Sequence, residues 1–250
     1  MIASAVGSAM TAPVFPANRM KKDLVLFRKG LMVLRSDFLI SRFPVSEKEF
    51  AELSGGAGGA EGRAALTGWQ EAARYCNLLS RREGLPPAYD ELSGWLLDAG
   101  GDAADYAFQA AGYRLPTKEE WDFAACGALD GRRTGAYLPL LRELFIPVDF
   151  GATPPSPMPE LPREFEKMPR NPAGLAGMLG NVVEWCGEDC PGREGPKNRA
   201  CGWAEYITNY NNDLGLQVEP VHVRPGRLLP FRVALTAAGG VKAELAGKPG

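Results

Sequence analysis

The residues of this 250-residue chain with the widest chemical range are five cysteines, a single histidine and a short acidic run. Cys186-x3-Cys190-x10-Cys201, with His222 beyond it, carries the donor types of a Cys3His zinc site. The spacing speaks against that site, because there is no Cys-x2-Cys knuckle and Cys186 closes a strand-like run where a thiol usually serves as a small hydrophobe. Cys76 and Cys126 fall among alanines and aromatics on helix faces and read as core. With His222 alone, the multi-histidine sites that hold zinc, iron or copper cannot be built within one chain. His222 also lacks a nucleophile at a favourable spacing, and no Gly-x-Ser-x-Gly occurs, so it reads as a loop or edge-strand residue. Neither Gly-x-Gly-x-x-Gly nor a Walker pattern is present, which excludes a phosphate loop of either kind. Glu184, Glu188 and Asp189 make up the short acidic run, whose plain reading is a solvated acidic loop.

Recognition, rather than bond-making, is the chemistry of residues 203–213, Trp-Ala-Glu-Tyr-Ile-Thr-Asn-Tyr-Asn-Asn-Asp. Tyrosine brings rigid contact area with a polar tip, and asparagine brings adaptable hydrogen bonds, the mixture used by antibody binding loops. Trp203, Glu205, Tyr206, Asn209, Tyr210, Asn211 and Asn212 are therefore the candidate contact residues. A polar loop without any partner is the plain alternative.

The elements that must hold such a segment are marked by their helix starts. Ser46–Glu49 is a capping box, a hydroxyl followed three residues later by a carboxylate. Thr67-Gly68-Trp69-Gln70 repeats the device before a longer helix, in which Trp69, Ala72, Ala73, Cys76 and Leu79 share a face and Gly84 supplies a stop. Thr117–Glu120 opens a third helix behind Pro116, with Trp121, Ala124 and Ala125 on one side. Strand-like runs cover 24–27, 37–40, 182–185 and 231–235. Residues 127–172 are rich in proline and read as an irregular excursion over the core, not as a second domain. There is no internal repeat. The pattern is α+β: one domain over 23–235, between flexible tails at 1–22 and 236–250.

Composition narrows the partners. Lys and Arg number 28 against 30 Asp and Glu, a net charge of −2 without a basic block, so nucleic acid is not the expected partner. No run of 18 apolar residues is available to span a membrane, and no cation precedes Arg19 as a secretory leader requires. An odd number of scattered cysteines fits reduced thiols and a cytoplasmic location. No cofactor is expected.

Four segments, in order, resemble the formylglycine-generating enzyme (sulfatase-modifying factor) family. They are Glu71–Asn77, like "DAxAYCNW"; Gly112–Trp121, like "GYRLPTEAEW"; Asn171–Trp185, like "PNxxGLYDMxGNVWEW"; and Pro230–Ala234, like "GFRxA". The resemblance implies a C-type-lectin-like fold, formylglycine-generating-enzyme-like, as a single domain with long irregular loops around a surface groove. It also implies scaffold roles for Arg114, Glu120, Trp121, Asn181, Glu184, Trp185 and Arg232.

The family's chemistry does not carry over. In its "RGGSxxCxxxxC" segment two cysteines hold copper(I) and the serine lines the active site. The aligned stretch here is Arg199-Ala200-Cys201-Gly202-Trp203, which sets Gly202 at the serine and Glu205 and Tyr210 at the two cysteines. A carboxylate and a phenol are hard ligands and a poor copper(I) site. Related sulfoxide synthases use several histidines from an additional domain, and this chain has His222 alone. One of the family's structural calcium sites takes an acidic side chain where this chain has Gly177, leaving Glu184 as a weak candidate ligand. The expectation is a non-catalytic protein that binds a ligand or another protein. The alternatives are an enzyme of altered chemistry using Cys201, Glu205 and Tyr210, or an accessory domain of a larger regulatory or defence assembly. Variable proteins of diversity-generating retroelements resemble the family too. Their diversified segment corresponds to residues 204–229, and the run Tyr206–Asp213 uses only residue types that change at the adenines of an Asn codon yields.

Overall fold

The computed structural model describes residues 24–27, 35–125, 163–168, 170–171, 173–178, 183–187, 199–202 and 228–237, those at 24–27, 122, 183 and 199–202 as backbone only. In chain order the elements are β1 (Leu24–Phe27), β2 (Phe38–Ser41), α1 (Glu47–Ser54), α2 (Trp69–Arg82), α3 (Lys118–Ala125), β3 (Val183–Cys186), β4 (Arg199–Gly202) and β5 (Ala234–Thr236). Two antiparallel sheets result: β1-β2-β5, with β2 in the middle, and the pair β3-β4.

All four residues of β2 are buried. Successive side chains of a strand point to opposite faces, so β2 divides two cores. Leu39 joins the larger core with α2 (Trp69, Ala72, Tyr75, Cys76, Leu79), Tyr113, Trp185 and Phe231. Phe38 and Ile40 join the smaller core with Trp121 and Ala124 of α3, Leu175, Met178 and Cys186. β3 alternates in the same way, with Trp185 in the first core and Cys186 in the second.

The helix starts follow the sequence with one displacement. In α1 the Glu49 amide donates to Ser46 Oγ (3.1 Å) and the Ser46 amide donates to Glu49 Oε2 (2.9 Å), and Gly55 ends the helix at φ +80°. In α3 the Glu120 amide donates to Thr117 Oγ1 (3.2 Å) and the Thr117 amide to Glu120 Oε2 (2.9 Å). The α2 cap is Gly68 rather than Thr67, its amide donating to Glu71 Oε2 at 2.9 Å. Thr67 is unavailable because its amide and carbonyl pair with Leu229, and its hydroxyl donates to Gly68 O at 2.8 Å. The strand at the chain's end is also shorter than expected: Phe231 makes a single parallel bridge to Trp185, and regular pairing begins at Ala234.

Candidate functional site

Two buried arginine–glutamate pairs organise the molecule around β3 and the third helix start. Glu120, already used in the α3 cap, receives Arg114 in a two-point contact, Nη1 to Oε2 at 2.6 Å and Nη2 to Oε1 at 2.7 Å. Arg114 also exchanges backbone hydrogen bonds with Ala234 and donates Nη2 to Thr236 Oγ1 (3.2 Å), which fastens the start of α3 to β5. In the second pair, Glu184 of β3 receives Arg232 through Nε to Oε2 and Nη2 to Oε1, both 2.7 Å. Both side chains are fully buried. Trp121 Nε1 donates to the same Oε2 at 2.9 Å, so an α3 indole, a β3 carboxylate and the guanidinium ahead of β5 form one cluster. The remaining donors of Arg232 reach the carbonyls of Ser41 (3.0 Å) and Ala176 (2.9 Å). Nearly every polar group is met, which a buried pair requires before attraction offsets desolvation.

This cluster defines the stem from which the Tyr/Asn-rich segment departs and to which it returns. On the departure side β4 pairs with β3 in the register Val183↔Gly202, Glu184↔Cys201, Trp185↔Ala200 and Cys186↔Arg199. On the return side Leu229 bridges Thr67, the Trp185 amide donates to Pro230 O (3.0 Å), and Phe231 bridges Trp185. Both ends are therefore fastened to the same four residues of β3 and their neighbours. Trp185 Nε1 adds a bond to Thr67 O (2.7 Å), and Trp69 Nε1 one to Cys186 O (2.9 Å). Leu229, inside the stretch 204–229 singled out from sequence, is a buried member of the larger core, whereas Leu228 is 54% exposed. The return of the segment thus lies at Leu228.

Of the residues assigned to the scaffold, Arg114, Glu120, Trp121, Glu184 and Arg232 are brought together in these two clusters, Trp185 joins the larger core instead, and all six are buried. Asn181 lies outside the described residues. So do the seven candidate contacts Trp203, Glu205, Tyr206, Asn209, Tyr210, Asn211 and Asn212, together with Cys126, Cys190, His222, Glu188 and Asp189. Cys201 is described as backbone, opposite Glu184. Cys76 and Cys186 are buried free thiols.

Glu184 is not a solvated loop acid. The residues present around it do not fit a calcium ion: both its oxygens take donors, and a cation beside them would face the Arg232 guanidinium. Gly177 offers no side-chain ligand, and at φ +70° it holds a backbone that other residues adopt only with strain. A Cβ built there would stand 2.8 Å from Met168 Sδ, so the thioether would have to move for any side chain to enter. Among the described residues no group of three His, Cys, Asp or Glu side chains is arranged to hold a metal.

Three structural roles escaped the sequence reading. Asn171 closes the end of α3, donating Nδ2 to the carbonyls of Ala124 (2.7 Å) and Ala125 (3.0 Å) and accepting from the Leu175 amide (3.0 Å). Asn77 does the same for the turn at 88–89, accepting from the Ala88 and Tyr89 amides and donating to Tyr89 O. The Tyr113 hydroxyl donates to Glu83 Oε2 at 2.7 Å, and burial, reinforced by that carboxylate, pushes its ionisation far above the ordinary phenol value. The asparagines were visible inside the quoted motifs, but nothing in their spacing says which carbonyls they will meet.

The geometry agrees with what the chain is similar to. The sulfatase-modifying factor enzyme 1-like domain matches residues 31–211. The chaperone protein LppX of Paenibacillus barcinonensis is 29% identical over 203 residues, 70% of this chain and 72% of its own. Among solved structures, Treponema denticola variable protein 1 superposes with a TM-score of 0.53 at 21% identity, covering 91% of this chain and 100% of its own, a likeness of fold. No helix among the described residues is long and apolar enough to cross a membrane. The mixed α and β layers, the paired sheets and the matched domain agree: the chain belongs to the sulfatase-modifying factor enzyme 1-like family.

Proposed function

We propose that this protein is a non-catalytic binding protein, in which Trp203, Glu205, Tyr206, Asn209, Tyr210, Asn211 and Asn212 contact a ligand or a protein partner. The observation that carries the reading is a contrast within one chain. The scaffold residues Arg114–Glu120 and Arg232–Glu184 form two-point pairs, while the resemblance sets Glu205 and Tyr210 at the positions of the copper-binding cysteines. Hard oxygen donors do not replace two thiolates for a soft monovalent metal. A segment of aromatics and amides on a rigid frame has what recognition needs, desolvated area and orienting hydrogen bonds.

The relatives give the reading further support. One is named a chaperone protein and another a variable protein. The second name fits a retroelement-diversified segment within residues 204–229, of which Leu229 is a buried core residue.

The test is a paired measurement. Tyr206→Ala/Tyr210→Ala protein should lose the partners that wild-type protein captures while its melting temperature stays within about 2 °C, as for surface changes. An equal loss of stability would make the tyrosines core and sink the contact assignment. Copper-dependent oxidation of a cysteine peptide by the wild-type protein would instead establish an enzyme. Sequencing the flanking DNA decides the diversification: a near-copy of the segment's coding sequence, differing only at adenines, supports it, and the lack of one removes it.

A further inference from the structure

Residues 88–104 turn back twice against the larger core. The Asp90 amide donates to Trp95 O and the Leu97 amide to Ala88 O, then the Asp98 amide to Asp102 O and the Ala104 amide to Leu96 O, all at 2.8 Å. Residues 95–98 are therefore the middle of three short extended stretches, bridged at Tyr89↔Leu96 and Leu97↔Ala103. Side chains alternate along such a stretch. Leu96 enters the larger core with Tyr89 and Ala104. Trp95 and Leu97 take the other face and are half-buried, and Ala103, opposite Leu97, is exposed. A strand with one solvated face carries polar residues there, whereas apolar residues on both faces mark a strand covered on both. Leu92, at the tip of the first turn, is 97% exposed. Its turn is firmly built: Asp90 Oδ1 accepts from the Leu92 amide (3.2 Å), the Ser93 amide (2.8 Å) and the Ser93 hydroxyl (2.6 Å).

Carboxylates surround this apolar face. From Glu83 to Tyr113 the chain has six acidic residues and no Lys, Arg or His, in a protein whose net charge is only −2. Glu83 is turned to the Tyr113 hydroxyl, which leaves Asp90, Glu91, Asp98, Asp102 and Asp105 along the two turns and their exit. Arg81 offsets one of them through Glu91 at 2.7 Å, and Arg35 lies over the Tyr106 ring at 4.1 Å. We propose that the outer face of residues 88–104 is a docking surface for a protein segment that carries Lys or Arg beside apolar side chains. Leu92 is the anchor, Trp95 and Leu97 supply the desolvated area, and the carboxylates meet the cations at the rim. A turn already held in shape loses little freedom on binding, and opposite charge at the rim governs encounter and the choice of partner. The same negative field repels nucleic acid and anionic lipid, which makes a protein the occupant. None of these residues belongs to the contact segment, so the surface stands whether or not residues 203–212 bind.

Two short peptides test this through amide chemical shifts of the full chain, one alternating Leu and Lys, the other Leu and Glu. The Leu/Lys peptide should shift the Leu92, Trp95, Leu97 and Ala103 amides, and the Leu/Glu peptide should leave them in place. Leu92→Ser should weaken the Leu/Lys peptide about tenfold through the lost anchor, and Asp102→Asn/Asp105→Asn by a similar factor at low salt through the lost rim charge. All three positions are exposed, so the variants keep the fold. A Leu/Lys peptide that leaves those amides unmoved overturns the proposal, and so does equal binding of the Leu/Glu peptide. Undiminished affinity in the Leu92→Ser protein overturns it too, because a cation drawn to any acidic surface would behave that way. Shifts of the same amides with protein concentration alone would make the occupant a second copy of this chain and overturn the basic partner. Loss of partner capture by the Tyr206→Ala/Tyr210→Ala protein bears on residues 203–212 and leaves this surface untouched.

Discussion

Arg114–Glu120 and Arg232–Glu184 are the same chemistry put to different uses. The first joins residues six apart and sets a helix start, its carboxylate still 8% exposed. The second joins residues 48 apart, is sealed from solvent on both sides, and holds β3, a helix indole, the Ser41 carbonyl of β2 and the loop carbonyl of Ala176 together. Local pairs assist an element that capping and periodicity already favour. Long-range pairs settle how elements meet; removing one partner leaves a buried charge at either site, and the larger penalty is expected at Glu184, where both partners are sealed from solvent.

That contrast is broken most directly at Glu184. Glu184→Ala should cost about 3–5 kcal/mol, the usual loss when one member of a buried pair is taken away. Denaturant unfolding would measure it, and a cost below that of a surface change would mean that water reaches Arg232. The same measurement on Glu120→Gln sets the comparison. It keeps an oxygen acceptor in place of a carboxylate that is 8% exposed, with an expected cost of about 2 kcal/mol. Equal costs at the two sites would abolish the distinction between local and long-range pairs.

The buried phenols sharpen the comparison from the side of pH. Burial is the leading cause that raises the ionisation of Tyr75, Tyr89 and Tyr113 far above the ordinary value of 10.0. A raised folded-state value favours the protonated, folded form. The stability it contributes is complete below the unfolded phenol's value and is lost as pH climbs through and beyond about 10. Stability should therefore fall above pH 10 more steeply than in a Tyr89→Phe protein, which still packs the ring but has one fewer phenol to ionise on unfolding. Identical alkaline slopes would show that Tyr89 ionises in place.

How much of this was legible beforehand follows the same division. The capping boxes at Ser46 and Thr117, the α2 stripe and the burial of Cys76 were readable, because each depends on neighbours within a few residues in sequence. The α2 cap was misplaced by one residue for a reason no local pattern contains: Leu229, distant in the chain, claims the backbone of Thr67. Glu184 was misjudged for the same reason. Beside Glu188 and Asp189 it looks like part of an acidic loop, and only the approach of Arg232 makes it a core residue. The family resemblance put Glu184 and Arg232 in the scaffold without telling how they meet. As for the contact segment, its residue types carried the reading of recognition, and its arrangement lies outside the described residues.

The smallest effects test whether geometry or mere charge matters at the start of α1. Ser46 caps α1 through the Glu49 amide while Glu49 Oε2 accepts from the Ser46 amide, so two donors at the helix start depend on the box. Ser46→Ala should cost about 1 kcal/mol, the common value for a lost N-cap. Lys48 and Glu61 also meet nearby, at 3.3 Å, but their side chains are 47% and 80% exposed. Water and salt screen such a contact and ordering two long side chains opposes it, so Lys48→Ala should leave the melting temperature unchanged at physiological ionic strength. The two variants sit within one turn of the same helix: Ser46→Ala removes the contacts of Ser46 Oγ with the Glu49 amide and carboxylate, and Lys48→Ala removes one exposed ion pair. A thermal shift for Lys48→Ala as large as that for Ser46→Ala would mean that the α1 corner is held by charge rather than by satisfied backbone donors. It would also weaken the case that burial is what separates the Arg232 pair from the exposed contact between Lys48 and Glu61.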